Sequence, residues 1–169
     1  VLAAAELLLD EPRIVFLFAG AGAMRSKLEA IVAERRLHNV RLIPRQPKQL
    51  MPSLWSVCDV SIVPLRNSSV FASVIPSKIF ESMAMGVPIL MSLPEGEATS
   101  IVQETGSGVC VPPEDPVAMA NVLRRLLDDS DHLGRLRQAG IKAAPRFSRG
   151  ELAHEMIRVF EAATRGGGL

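Results

Sequence analysis

Two spacings of apolar residues alternate along this chain, and together they set the expected fold. Residues 13–19 carry the unbroken apolar run Ile14-Val15-Phe16-Leu17-Phe18-Ala19, the pattern of a strand covered on both faces. Similar short runs recur at residues 40–43, 58–64, 87–91 and 109–111. Between them the apolar positions shift to helical spacing. This predicts helices over residues 24–36, 49–57 and 77–85, and another that follows a turn at 94–98 and runs to about residue 104, with Leu50, Met51, Leu54 and Trp55 facing inward in the second. Residues 1–9 read as an Ala/Leu-rich helix ended by Asp10-Glu11-Pro12, and residues 65–74 as a polar, flexible connection. From residue 117 the texture changes. Helices at 117–127, 131–144 and 150–164 follow with no further strand, the first opened by Asp115-Pro116. Strands alternating with helices predict an α/β fold with a doubly wound, Rossmann-like parallel sheet and C-terminal helices. Residues 1–165 form one domain in this reading, and residues 166–169 a disordered tail.

One stretch organises the rest. Ile75-Pro76-Ser77-Lys78-Ile79-Phe80-Glu81-Ser82-Met83-Ala84-Met85-Gly86-Val87-Pro88-Ile89-Leu90 packs a helix start, a short helix and a buried strand into very few residues. Ser77 caps the helix, or Pro76 sits just ahead of it. Ile79, Phe80, Met83 and Ala84 fall on the inward face. Gly86 ends the helix in the left-handed conformation, and Pro88 forbids its return. Lys78 and Glu81 do not fit the packing. A cation in the first turn is mildly disfavoured by the helix dipole unless an anion also sits there. Glu81, three residues on, shares that face and suits two hydroxyls of a ribose. The alternative is a surface Lys78–Glu81 pair worth a few tenths of a kcal/mol.

Open α/β sheets bind ligands outside the carboxyl ends of their strands. The loops there carry Arg45, Gln46, Arg66, Asn67, Lys78, Glu81, Glu95 and Glu97, a set suited to a phosphorylated, hydroxyl-rich ligand. Gly20 and Gly22 follow the first strand, but the third glycine of a dinucleotide fingerprint is absent, since position 25 is Arg. Those glycines either pack strand against helix or face a ligand. Composition narrows the field. A net charge of +1, one Trp and no Tyr argue against a nucleic-acid binder. Cys58 and Cys110 read as small buried residues of a reducing compartment. His38, His132 and His154 lie far apart, so no metal is expected. No run is long and apolar enough to span a membrane.

Residues 76–90 resemble the donor-binding motif of GT-B glycosyltransferases. They are most similar to the large retaining family that includes bacterial sugar transferases for polysaccharide and lipopolysaccharide assembly. The Pro-Ser-Lys wording resembles the N-acetylaminosugar (fucosamine) branch. Residues 16–22, 40–44, 58–64 and 106–115 match in order and spacing, so the resemblance covers residues 1–165. It implies the C-terminal, nucleotide-sugar-binding half of a two-domain enzyme, working without a cofactor on a nucleotide-sugar donor, UDP-linked in that branch. By the resemblance, Glu81 holds the ribose hydroxyls, and Ile75, Pro76, Ser77 and Lys78 lie along the diphosphate. Arg45 and Gln46 mark the turn that reads the base, and Gly20 and Gly22 line the cleft. Glu97 is placed near the cleft without a firm role, and no catalytic residue is assigned. The partner is an N-terminal acceptor-binding domain, and the location the cytoplasm, at the inner face of the membrane. Two departures stand out. Many members carry a glutamate eight residues before Glu81, where this chain has Ser73, and the family's basic diphosphate clamp has no counterpart here. Two other readings remain: half of a GT-B-like sugar-nucleotide epimerase, and a non-catalytic α/β interaction module.

Overall fold

The computed structural model describes residues 1–166. Helix α1 (Leu2–Leu7) leads into strand β1 (Phe16–Ala19), followed by α2 (Arg25–Glu34) and β2 (Val40–Ile43). Then come α3 (Met51–Trp55), β3 (Ser61–Pro64), α4 (Lys78–Ala84), β4 (Ile89–Ser92), α5 (Glu97–Thr105) and β5 (Gly108–Val111). Helices α6 (Pro116–Asp128), α7 (Ser130–Ala143) and α8 (Arg149–Gly166) close the described chain. Gly166 thus ends a helix, and the rest of the expected tail, residues 167–169, lies outside the described residues.

Every strand pair is parallel, as the alternation of strand and helix requires. The sheet itself is split. β1 pairs with β2, Phe16 opposite Val40, while β3, β4 and β5 form a second sheet in that order. No ladder joins β1 to β3 among the described residues; the parallel strands flanked by helices are the expected doubly wound α/β class.

Two cores hold the halves. β4 is buried throughout, and its alternating side chains feed both. Leu90 joins the core of α1 and α6 with Leu8, Phe16, Leu37 and Leu126. Ile89 and Met91 join Ile79, Met83 and Val102 of α4 and α5. This is the two-sided burial expected of a parallel strand. Asp115 caps α6 as expected, its carboxylate accepting from the Val117 and Ala118 N–H groups at 3.0 and 2.9 Å. Gly86 leaves α4 at φ +64°, the left-handed turn predicted for it.

Three local expectations are corrected. Ala84 is exposed, and Ser82 takes the buried position instead. Its hydroxyl donates to the Lys78 carbonyl at 2.6 Å, which makes a buried serine tolerable. In α3, Met51, Leu54 and Trp55 turn inward as expected but are only half-buried, while Leu50, ahead of the helix, is half exposed. Residues 65–74 are not a loose connection: Ser69–Ser73 forms a 3-10 turn. Its Ala72 carbonyl closes so tightly on Gly96 that a Cβ there would collide with it.

Candidate functional site

The beginning of α4 is built as the sequence suggested, with one change. Ser77 occupies the N-cap position and Pro76 lies just ahead, but the Ser77 side chain makes no cap bond. The Ile79 N–H reaches the Pro76 carbonyl and the Phe80 N–H that of Ser77, each at 3.1 Å. The N–H groups of Ser77 and Lys78 are left without acceptors among the described residues. The Ser77 hydroxyl donates instead to Glu81 Oε1 at 3.2 Å. The Lys78 ammonium has no hydrogen-bond or ion-pair partner among the described residues, so the Lys78–Glu81 surface pair is not formed. Ile79 and Met83 anchor the opposite face in the core, and Phe80 stacks on Phe147 with ring centroids 4.9 Å apart. The helix is therefore fixed underneath while Ser77, Lys78 and Glu81 stay exposed to solvent.

Neighbouring loops are tied to this half. The Leu65 N–H donates to the Ser92 carbonyl at 2.9 Å, and the Ser92 hydroxyl to the Pro112 carbonyl at 3.3 Å. Glu97 opens α5 exposed and without a side-chain partner among the described residues, beside a Gly96–Thr99 pair that closes the turn.

The β1–β2 half carries the rest of the predicted residues. Gly20 and Gly22 sit past β1, and no atom lies within 4 Å of where a Cβ would stand at either. The close-packing explanation for them fails, and both face open space. Arg45 is exposed and unpaired among the described residues, and Gln46 donates to the Pro44 carbonyl at 2.9 Å. Arg25 is the residue the sequence reading missed. Its guanidinium donates to the carbonyls of Ile43, Leu42 and Gly20 at 2.7, 3.0 and 3.3 Å, and to Glu29 at 2.6 Å. It clamps the loop after β1 to the end of β2. The available signal was an arginine one helical position past the glycine turn.

The structure thus gathers Ser77, Lys78 and Glu81 on one side, and Gly20, Gly22, Arg45 and Gln46 on the other. No hydrogen bond or ion pair connects the two groups among the described residues. A cavity of about 610 Å³ contains none of them; it runs between β1 and β3 instead. Chemically, the α4 side offers two open amides and an ammonium for an anion, and a carboxylate held by a hydroxyl for hydroxyl donors. No group of His, Cys, Asp and Glu side chains able to hold a metal exists among the described residues. The run Asp129-Ser130-Asp131 is used locally, since Asp129 accepts the His132 N–H at 2.7 Å to cap α7. Burial pushes the Cys58 and Cys110 thiols up, with Asp59 and Glu95 adding to it, so neither is poised as a nucleophile.

Comparison with known proteins gives one consistent family. The family model described as glycosyl transferases group 1 matches residues 1–143. A probable glycosyltransferase of Pseudomonas aeruginosa, WbjE, is 33% identical over 136 residues, covering 79% of this chain and 34% of that protein. The chain spans about a third of the length of the curated relatives it matches. Among solved structures, Anabaena Alr3699/HepE in complex with UDP and glucose superposes with TM-score 0.78 at 16% identity, over 95% of this chain and 44% of that one. The C-terminal domain of a group 1 family protein, LpcC of Francisella tularensis, gives TM-score 0.68 at 19% identity, over 87% of this chain and 77% of that one. At such identities these two likenesses establish the GT-B fold alone.

Proposed function

The chain belongs to the glycosyl transferases of group 1, and on that premise we propose that it is the nucleotide-sugar-binding, C-terminal half of a two-domain glycosyltransferase. Residues 1–165 act as that one domain. The observation that carries the reading is the start of α4. Among the described residues Lys78 is unpaired and two N–H groups are open, and Glu81 is oriented by Ser77 rather than neutralised by Lys78. A diphosphate at Ser77 and Lys78 places the adjoining ribose within reach of Glu81. The Gly20–Gly22 and Arg45–Gln46 loops serve the rest of the donor once an acceptor half closes over it.

The reaction is transfer of a glycosyl group from a nucleoside diphosphate to an acceptor hydroxyl. As the glycosidic bond breaks, negative charge grows on the leaving diphosphate. Open amides and an ammonium fixed where that charge appears lower the barrier without reorganising. UDP is the favoured nucleotide. The Pro-Ser-Lys wording supports it, and the fold likeness to a UDP complex is compatible with it. On that wording the donor is a UDP-linked N-acetylaminosugar, the acceptor a glycan or lipid-linked glycan. The setting is the cytoplasmic face of the membrane during surface-polysaccharide assembly. Ser73, in place of a second glutamate, leaves the sugar held by groups other than a carboxylate at that position.

Calorimetric titration with UDP tests this. Saturable binding is expected, weakened by Glu81→Ala by about 1–3 kcal/mol, the scale for hydrogen bonds to a charged group, and weakened also by Lys78→Ala. Binding of GDP or ADP but not UDP changes the base and keeps the domain. If the full-length protein binds none of the three, the donor-binding reading is wrong.

A further inference from the structure

The turn between β4 and α5 is fixed from three directions. The Ala72 carbonyl of the 3-10 turn Ser69–Ser73 stands where a Cβ on Gly96 would be, so only glycine lets the two segments touch. The Gly96 N–H donates to the Thr99 hydroxyl at 2.9 Å, and that hydroxyl donates back to the Gly96 carbonyl at 2.7 Å. The Ser100 hydroxyl reaches the same carbonyl at 3.2 Å. Beneath the turn, Ala98 and Val102 of α5 are buried in one core with Met91 and Leu93.

Glu97 is what this turn presents. It follows Gly96 directly, is exposed, and its carboxylate has no hydrogen-bond or ion-pair partner among the described residues. Because Gly96 lies against Ala72, Glu97 neighbours Ser73, which is exposed as well. An acid in the first turn of a helix is favoured by the dipole. That effect requires neither the glycine contact with Ala72 nor the Thr99 lock.

The position of this carboxylate relative to the donor follows from α4. Ser73 lies four residues before Ser77, at most about 14 Å away along the chain. A ribose at Glu81 and a diphosphate at Ser77 and Lys78 lay the nucleoside along the helix. The group on the far phosphate then extends past the helix start, over the segment that enters it, and so toward Ser73 and Glu97. A carboxylate accepts hydrogen bonds and donates none. It repels a phosphate but takes two hydroxyls of a pyranose in charge-assisted bonds. Glu81 is already committed on the ribose side, with Ser77 bonded to it.

We propose that Glu97 is the carboxylate of the sugar subsite, accepting hydrogen bonds from hydroxyls of the pyranose carried by the nucleoside diphosphate. Position 73 brings a serine, and the adjoining α5 supplies the acid. Glu97 then acts on which sugar is held and not on the nucleotide. The proposal rests on the donor-domain reading, and its test separates the two.

Full-length protein is titrated calorimetrically with UDP, and with UDP-linked glucose, galactose, N-acetylglucosamine and N-acetylgalactosamine. Glu97→Gln keeps the shape of the side chain and removes its charge. It is expected to weaken the tightest of the four UDP-sugars about tenfold, and Glu97→Ala at least as much, while the affinity for UDP stays within about twofold in both. Glu104→Gln, the same change near the other end of α5, is expected to alter neither. A ratio of UDP-sugar to UDP affinity that both Glu97 variants leave unchanged overturns the proposal. That holds if neither ligand weakens, and equally if both weaken together, as a disturbed helix start would cause. Wild-type protein that binds UDP but none of the four UDP-sugars also overturns it, and leaves the donor-domain reading standing. Protein that binds neither UDP nor any UDP-sugar overturns it at its premise.

Discussion

Arg25 stands where a dinucleotide fingerprint would place its third glycine, and the structure gives it a different task. Three backbone carbonyls, one from the loop after β1 and two from the end of β2, converge on its guanidinium. A carbonyl has no other way to be held at a loop end than by a donor, and a planar fork with several N–H groups serves all three at once. Lysine offers a point charge and cannot match that geometry. Arg25→Lys is therefore expected to weaken UDP binding by about 1 kcal/mol and Arg25→Ala by about 1.5–3 kcal/mol, the range for hydrogen bonds to a charged group. Titration calorimetry reads the effect. Unchanged affinity in Arg25→Ala would mean that the loops after β1 and β2 do not contact the donor. Glu81 and Lys78 were legible in the sequence because their placement follows from three-residue spacing on one short helix. Arg25 was not, because its acceptors at Leu42 and Ile43 lie 17 and 18 residues away, and only the fold brings the start of α2 to the end of β2.

At the scale of elements, continuous apolar runs revealed every strand, and β2 coincides with the run that predicted it. The runs at β1 and β3 overshoot their ladders, because a ladder also needs a partner. Ile14 and Val15 are as apolar as Phe16, yet the pairing with β2 starts at Phe16. For the same reason the split sheet could not be read locally: nothing in a strand's own sequence says which edge is filled. Buried serine at 82 was hidden too, since a helical pattern counts apolar residues and cannot see a hydroxyl satisfied by its own helix. Glycines separate cleanly in the structure. A Cβ at Gly108 would collide with the backbone of Ile89 on the adjoining strand, whereas one at Gly134, within α7, meets nothing within 4 Å. Gly108→Ala is expected to cost about 1–3 kcal/mol through overpacking. Gly134→Ala is expected to gain about 0.5–1 kcal/mol by restricting the unfolded chain. Urea denaturation of both variants checks the pair. A neutral Gly108→Ala would show that β4 and β5 can separate without loss.

Taken as a whole, the chain exposes two apolar features that an isolated domain of this size would ordinarily hide. One is the cavity between β1 and β3, a slot with open strand edges. The other is α8, whose Met156, Val159 and Phe160 are all more than half exposed. They differ in what they offer a second molecule. The slot supplies both apolar side chains and unpaired backbone groups, the combination that makes an exposed edge a template for association. α8 has its backbone satisfied within the helix and supplies side chains only. If the slot dominates, the 169-residue chain studied alone should associate reversibly as its concentration rises, and a charge on the open edge should suppress this. Leu17→Lys places a lysine on β1, the device by which natural edge strands are blunted. It is expected to weaken self-association by about tenfold, or about 1.4 kcal/mol. Phe160→Lys, on the exposed surface of α8, is expected to change it far less. Sedimentation velocity across a concentration series distinguishes the two. Should Phe160→Lys abolish association while Leu17→Lys leaves it intact, α8 is the docking surface.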